Sequence, residues 1–398
     1  MKIVLVEMDH QAGVSTFWRT DGKVATFDGD VISETPIAKS RFVPGESFLS
    51  MTTIRGEDLL FELPTVKDPS PLRARPVIYL DQNAWSKIAT ALHEPEKLNP
   101  DEAAAAIWLA DLARGWKVIL PFSAGTLSET SHWSDDDRRY KLAVTICELS
   151  HGWQMLDPLE LRAAEMRWIL SQHNGATGHP LPSVWTLAAN AVYGQRLRPY
   201  DVGPDEGLDP DSITNLQAII AISGTVATIL DGDPIPRQDP KGWAEHWAQL
   251  ASHVGTTNKP RHLTELAVHG AIIADARHEL AQAAVDIAMD PETFGKWLNG
   301  PARRDIRRMP AFGLAREVTY LKISNSQAKW KPNDLTDIFY MVQASGYADA
   351  VVGERGFSTL ARSAQQRLGR PENSFFSLTD LRRNNVFDDA PGRPPQLI

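Results

Sequence analysis

The chain has 398 residues, 42% of them hydrophobic and 23% charged, with a formal net charge of −9. That length supports a full core and more than one domain of about 100 to 200 residues, and the composition is that of a soluble globular protein with no run of about 18 apolar residues to span a membrane. The negative balance excludes indiscriminate nucleic-acid binding, so any grip on phosphate has to come from a local basic cluster.

The amino terminus, "MKIVLVEMDHQ", reaches Glu7 and Asp9 too soon for a signal peptide and reads as a strand, which predicts a cytoplasmic protein. "VSTFWRT" and "DGKVATFDGDVI" follow as strands, with Asp-Gly in "TDGK" marking a hairpin turn. "PGESFLSMTT" is expected to start a short helix, and the three prolines of "KDPSPLRARP" mark a linker, so residues 1–70 read as a small β-rich segment.

From Val77 the pattern alternates: "VIYL" is a strand, "AWSKIATAL" and "NPDEAAAAIWLADLARGW" are helices, "KVILPFS" a second strand, and "WQMLDP" a third. Strands separated by helices predict an α/β fold with a parallel sheet. The single cysteine, Cys147, excludes an intrachain disulfide and reads as a buried small hydrophobe. Residues 71–158 make a first half of this core, residues 159–315 a helical insertion, residues 316–385 a second half with strands "EVTYLK" and "ADAVVGE" and helices "NDLTDIFYMVQASG" and "GFSTLARSAQQRLG", and residues 386–398 a tail.

Ligands of open parallel sheets sit beyond the carboxyl ends of the strands. Asp81 lies at such an end, Glu129 on the helix after "KVILP", Asp334 and Asp337 at the start of "NDLTDIFYM", and Asp349 and Glu354 on either side of "AVVG". Each has a plain structural explanation; Asp334, for instance, is a natural N-cap and Asp337 sits in a favourable first turn. Carboxylates converging from several strand ends repel one another unless a cation lies between them, and oxygen-only ligands suit Mg2+ or Mn2+. Such an ion lowers the pKa of its water and offsets charge developing on a phosphate.

"VIYLDQNAW", "VILPFSAGTLSET", "KPNDLTDIFYM" and "YADAVVGERGFSTLA", in that order, resemble the four acidic motifs of PIN-domain nucleases, a family that includes the ribonuclease toxins of toxin–antitoxin systems. The resemblance spans roughly residues 71–158 and 317–381. It implies a PIN-like sheet, metal-dependent hydrolysis of single-stranded RNA, catalytic roles for Asp81, Glu129, Asp337 and Asp349, metal contacts from these together with Asp334 and Glu354, and a supporting role for Asn83. An antitoxin-like or regulatory protein and a second copy of the chain are the other partners it suggests, and the β-rich segment itself could be a fused regulatory element. Gly353, Glu354 and Arg355 depart from the family's fourth motif, which keeps open a PIN-like module that binds RNA or a protein without cutting.

Three further features carry weaker signals. His262, Glu265, His269, Asp275, His278 and Glu279 lie along one helical stretch whose spacing fits a packing or solvated face better than a metal site. Arg303, Arg304, Arg307 and Arg308 could hold RNA phosphates or form a salt-bridged face. Trp243 and Trp247, at i, i+4, read as core packing rather than as a base-stacking platform.

Overall fold

The computed structural model describes residues 3–29, 35–43, 48–63, 72–175, 178–188, 191–194, 210–230, 241–256, 260–384 and 387. Much of the proline-rich stretch, residues 195–209 and 231–240 of the helical region and all of the tail but residue 387 therefore lie outside the described residues. Strands β1 (Ile3–Asp9), β2 (Val14–Arg19), β3 (Val24–Asp28), β4 (Ile37–Phe42), β5 (Phe48–Thr53) and β6 (Asp58–Glu62) open the chain. Next come β7 (Ile78–Leu80), α1 (Gln82–His93), α2 (Pro100–Arg114), α3 (Ala124–Ser131), α4 (Asp136–Ser150), β8 (Gln154–Met155), α5 (Pro158–His173), β9 (Trp185–Thr186) and α6 (Pro210–Leu230). The helices α7 (Lys241–Thr256), α8 (Arg261–Asp275), α9 (Arg277–Asp286), α10 (Pro291–Asn299), α11 (Ala302–Arg308), α12 (Pro310–Ser324) and α13 (Asn333–Thr336) lead into a π-helical turn at Asp337–Met341. The last elements are α14 (Val342–Tyr347), β10 (Ala350–Val352), α15 (Arg355–Leu368), β11 (Ser374–Phe375) and α16 (Leu378–Arg383).

The chain divides into two compact units, one of Met1–Leu156, Trp185–Pro236 and Arg382–Ile398, the other of Asp157–Val184 and Arg237–Leu381. This division differs from the sequence boundaries. Most of the expected helical insertion shares a unit with residues 316–381, because α12 packs on α7 and α8 as well as on α14 and α15.

In the first unit the six opening strands form an antiparallel sheet in the order β3-β2-β1-β4-β5-β6. The β2–β3 turn has Gly22 at φ +78°, a conformation open to glycine, and Asp21 Oδ1 accepts from Lys23 N. "PGESFLSMTT" does not start a helix: Phe48–Thr53 is β5, whose alternating burial and paired threonines suit a strand. The sheet continues into helical structure at β6, where Glu62 N donates to His151 O at 2.9 Å and Tyr140 Oη donates to Glu57 at 2.9 Å. Beyond it, Val77 bridges Ile119 and Phe122 bridges Gln154, both in parallel, while β8 pairs antiparallel with β9. "KVILPFS" thus contributes two single bridges rather than a continuous strand, since Pro121 between them has no N–H to donate. The fold is α/β, with its larger sheet antiparallel and its parallel pairing short.

The second unit is built round Met166, Ile169 and Leu170 of α5, Val268 of α8, Trp297 of α10 and Ile306 of α11, all buried. "EVTYLK", expected as a strand, is the carboxyl half of α12. Its β-branched and aromatic residues favour a strand locally, but the helix start is fixed from elsewhere. Met309 at the N-cap carries no capping oxygen, and the buried carboxylate of Glu165 on α5 accepts from Ala311 N at 2.7 Å and Phe312 N at 2.8 Å instead. β10 and β11 pair in parallel through Val351–Ser374 and Val352–Phe375. Among the described residues, no helix is long and apolar enough to cross a membrane.

Candidate functional site

Asp81 follows the fully buried β7 and is the N-cap of α1, with Oδ1 accepting from Ala84 N at 2.7 Å. A strand that ends on a capping aspartate turns directly into a helix, which places the carboxylate at the carboxyl end of the strand. The next element start is tied to the same place. Ser123 caps α3, its hydroxyl lies 2.7 Å from Tyr79 Oη of β7, and Gln82 Nε2 donates to Thr130 Oγ1 at 3.0 Å. Gln82 follows Asp81 and Thr130 follows Glu129, so these bonds hold the two acid-bearing helix segments of the first unit side by side. Asp81 and Glu129 are half-buried, whereas Asn83 is exposed.

The acids of the second unit occupy different settings. Both oxygens of Asp334 are engaged at 2.5 Å, Oδ1 with Lys322 Nζ and Oδ2 with Lys331 N, which makes it a helix-start anchor. Asp337 is half-buried and opens the π-helical turn, a feature often found at functional sites. Asp349 is exposed and precedes β10, whereas Glu354 is exposed and lies beyond it as the N-cap residue of α15. In a parallel pairing the carboxyl end carries the ligand-facing loops, so Glu354 stands at that end of β10 and Asp349 at the other. Arg355 places its guanidinium over the ring of Phe376, 5.4 Å from the centroid.

The arginine cluster splits in two. Arg303 pairs with Glu265 at 2.7 Å, and Arg307 pairs with Glu317 at 2.8 Å and donates to Arg367 O at 3.0 Å. These two belong to an internal ion network and are not a substrate-facing stripe, because α11 turns them toward acids on α8 and α12. Arg304 and Arg308 point outward with side chains 74% and 52% exposed, and both stand near Asp305. The same network holds Arg367, bonded to Glu265 and Glu317 at 2.9 Å each, and the fully buried Arg316, bonded to Glu317. Four guanidiniums therefore share two carboxylates, and Arg316 Nε and Nη2 have no hydrogen-bond partner among the described residues. Burial and the neighbouring arginines push the Arg316 guanidinium down.

The acids of α8 and α9 serve ion pairing, Glu265 in that network and Asp275 and Glu279 with Arg162 of α5, while His262 and His278 are exposed and His269 is half-buried. Among the described residues, no group of three or more His, Cys, Asp or Glu side chains is arranged to hold a metal ion. Cys147 is buried in α4, and desolvation pushes its thiol up to about 12, so it stays protonated.

A cavity in the second unit was not expected from the sequence. It is small, with a volume of about 50 Å3, and Trp243, Trp247, Phe312 and Phe339 contribute its aromatic lining, with Arg162, Glu165, Asp275 and Gln343 among its polar residues. The i, i+4 spacing of Trp243 and Trp247 was its one sequence signal. Trp247 is core, as read, yet it also lines this space.

Protein-family models, curated proteins and solved structures give no match to this chain.

Proposed function

We propose that this protein is a PIN-like hydrolase of phosphodiester bonds in single-stranded RNA, with Asp81 as the residue on which activity depends. The observation that carries this reading is the position of Asp81, at the carboxyl end of a buried strand and at the start of α1, beside the helix that bears Glu129. Asp337, Asp349 and Glu354 enter through the order of the acidic motifs, and the position of Glu354 after β10 favours it over Asp349 for the fourth acid. Mg2+ or Mn2+ is the cofactor that such oxygen ligands would select. No catalytic step is assigned to an ion, and dependence on it is a matter for experiment.

The second reading is an RNA-binding module that does not cut. It is favoured by the lack, among the described residues, of a three-acid group suited to a metal. One experiment separates the two: binding and cleavage of a labelled unstructured RNA by the wild type, Asp81→Asn and Glu129→Gln, with Mg2+ or Mn2+ and with excess chelator. Asparagine caps helices as well as aspartate does, so Asp81→Asn removes charge while keeping α1. Cleavage lost in Asp81→Asn and in chelator supports the hydrolase. Binding without cleavage gives the second reading. Cleavage that survives both changes overturns the carboxylate mechanism, and absence of binding overturns both.

A further inference from the structure

The six-stranded sheet of the first unit has two unlike edges. β6 is tied to the helical part of its unit, since Glu62 N donates to His151 O at 2.9 Å. At the other edge, among the described residues, no strand pairs with the outer side of β3. An unpaired edge presents a row of backbone donors and acceptors, and folded proteins guard it with a proline, a bulge or a charge in mid-strand. β3 carries none of these. It runs in unbroken register with β2, and the charges of Lys23 and Asp28 leave Val24, Ala25, Thr26 and Phe27 uncharged between them. Val24 and Phe27 are 53% and 60% exposed.

The backbone decides which groups are open. Lys23 O accepts from Arg19 N at 3.0 Å, and Gly29 N donates to Gly13 O at 2.8 Å. By the alternation of an antiparallel ladder, Ala25 and Phe27 then also bond to β2, and the N–H and C=O of Val24, Thr26 and Asp28 point away from the sheet. A strand added at this edge bonds to those three residues.

The side chains select the occupant. In an antiparallel copy of β3 centred on Thr26, Thr26 faces Thr26, Val24 faces Asp28 and Ala25 faces Phe27, so every outward residue of both strands enters the ladder. Phe27, the largest side chain, meets Ala25, the smallest, on both sides of the axis. The row Val6, Phe17, Ala25 of one molecule then runs on into the row Phe27, Ser15, Met8 of the other. Charge gives the same direction. An antiparallel copy brings Lys23 to the end of the ladder that carries the other strand's Asp28, whereas a parallel copy in register sets each charge beside its like.

We propose that the free edge of β3 is a dimerisation surface, on which a second copy of this chain pairs its own β3 antiparallel about Thr26 and joins the two sheets into one. The twofold axis uses up both edges, so association stops at two. A ladder of five residues is shorter than a standard interface requires, so the dimer is weak, with a dissociation constant on the order of 10–100 μM. The pairing is independent of whether the protein cuts RNA.

The test is sedimentation of the full chain over a series of roughly 5 to 500 μM at low salt, with amide hydrogen exchange at both ends of the series. The wild type is expected to pass from monomer to dimer. Exchange at Val24, Thr26 and Asp28 should slow as concentration rises, while Ala25 and Phe27, bonded to β2, are protected throughout. Thr26 is exposed, so Thr26→Lys and Thr26→Glu keep the fold, and each sets like charges face to face at the axis, weakening its own dimer by about fivefold or more. Mixing the two variants opposes unlike charges there, and the mixture is expected to dimerise at least as well as the wild type. A wild type that stays monomeric leaves the edge to a strand of some other protein and overturns the proposal. So does a dimer that forms without slowing exchange at the three outward amides, one that is equally strong in both variants, or one that is lost in each variant and not restored by mixing. The wild-type measurements decide the matter even where a variant fails to fold.

Discussion

Arg75 Nη2 donates to both carboxylate oxygens of Glu62, at 2.8 and 3.1 Å, in a pair sealed from solvent by Trp153, whose Nε1 donates to the same carboxylate at 2.8 Å. Glu62 ends the antiparallel sheet and Arg75 stands just before β7, so the pair fastens the opening strands to the helical part of the first unit. Replacing one partner leaves the other buried and uncompensated, a loss of about 3–5 kcal/mol. Glu62→Ala is therefore expected to lower the denaturant midpoint and melting temperature markedly, and Glu62→Gln less so because an amide still accepts from Trp153. A melt of Glu62→Ala that matches the wild type would mean that this carboxylate does not hold the sheet.

The elements that could be read from sequence are those whose causes are local. β1 to β3 follow from alternation and an Asp-Gly turn; α1, α2 and α5 follow from Asp81, Asn99 and Asp157 at their N-caps, with Pro100 and Pro158 at the first helical positions. Asp81 was found because it ends a strand whose apolar residues are contiguous in the sequence. What could not be read depends on distant partners. α12 starts where Glu165, about 146 residues away, caps it. Arg303 and Arg307 look like their exposed neighbours until Glu265 and Glu317 are brought to them, and the cavity draws its lining from α5, α7, α8, α12, the π-helical turn and α14, which no single window contains.

The borrowed cap on α12 predicts that Glu165→Ala loosens the second unit. Two amides and the hydroxyl of Tyr347, bonded at 2.6 Å, would lose a buried acceptor, at about 1–3 kcal/mol for each group left unpaired. Amide hydrogen exchange at Ala311 and Phe312 should accelerate, while exchange in β1 to β6 stays as in the wild type. Unchanged protection at those two amides would show that another group caps the helix.

If the protein binds RNA, the split arginine cluster makes a directional prediction. Arg304→Ala with Arg308→Ala should reduce the dependence of log affinity on log salt by roughly one to two units without changing sequence preference, because these are the two most exposed side chains of the cluster. Arg303→Ala and Arg307→Ala should instead lower stability by unpairing Glu265 and Glu317, and leave the salt slope alone. An equal loss of slope in both pairs would contradict the inward placement of Arg303 and Arg307.

His269 predicts the pH dependence of the second unit. Burial, with Arg316 and Arg303 nearby, pushes its imidazole down to about 4, and its Nδ1 is buried without a hydrogen-bond partner among the described residues. Unfolded, the same side chain titrates near its ordinary 6.5. Between these two values the unfolded chain binds a proton that the folded chain refuses, so stability falls as the pH is lowered from about 6.5 to about 4 and is unaffected by this group above that window. Partial solvent access and screening limit the loss to about 2 kcal/mol. Glu265 is pushed up by burial but held below its ordinary value on balance by Arg367 and Arg303, with which it pairs, and so adds a decline in stability of its own as acid protonates it. The difference between wild type and His269→Gln isolates the histidine. The variant should lose stability less steeply than the wild type from pH 6.5 to pH 4 in parallel denaturant melts, with the two curves running parallel above pH 7. Curves that stay parallel down to pH 4 would mean that the imidazole takes up its proton in the folded state as readily as in water.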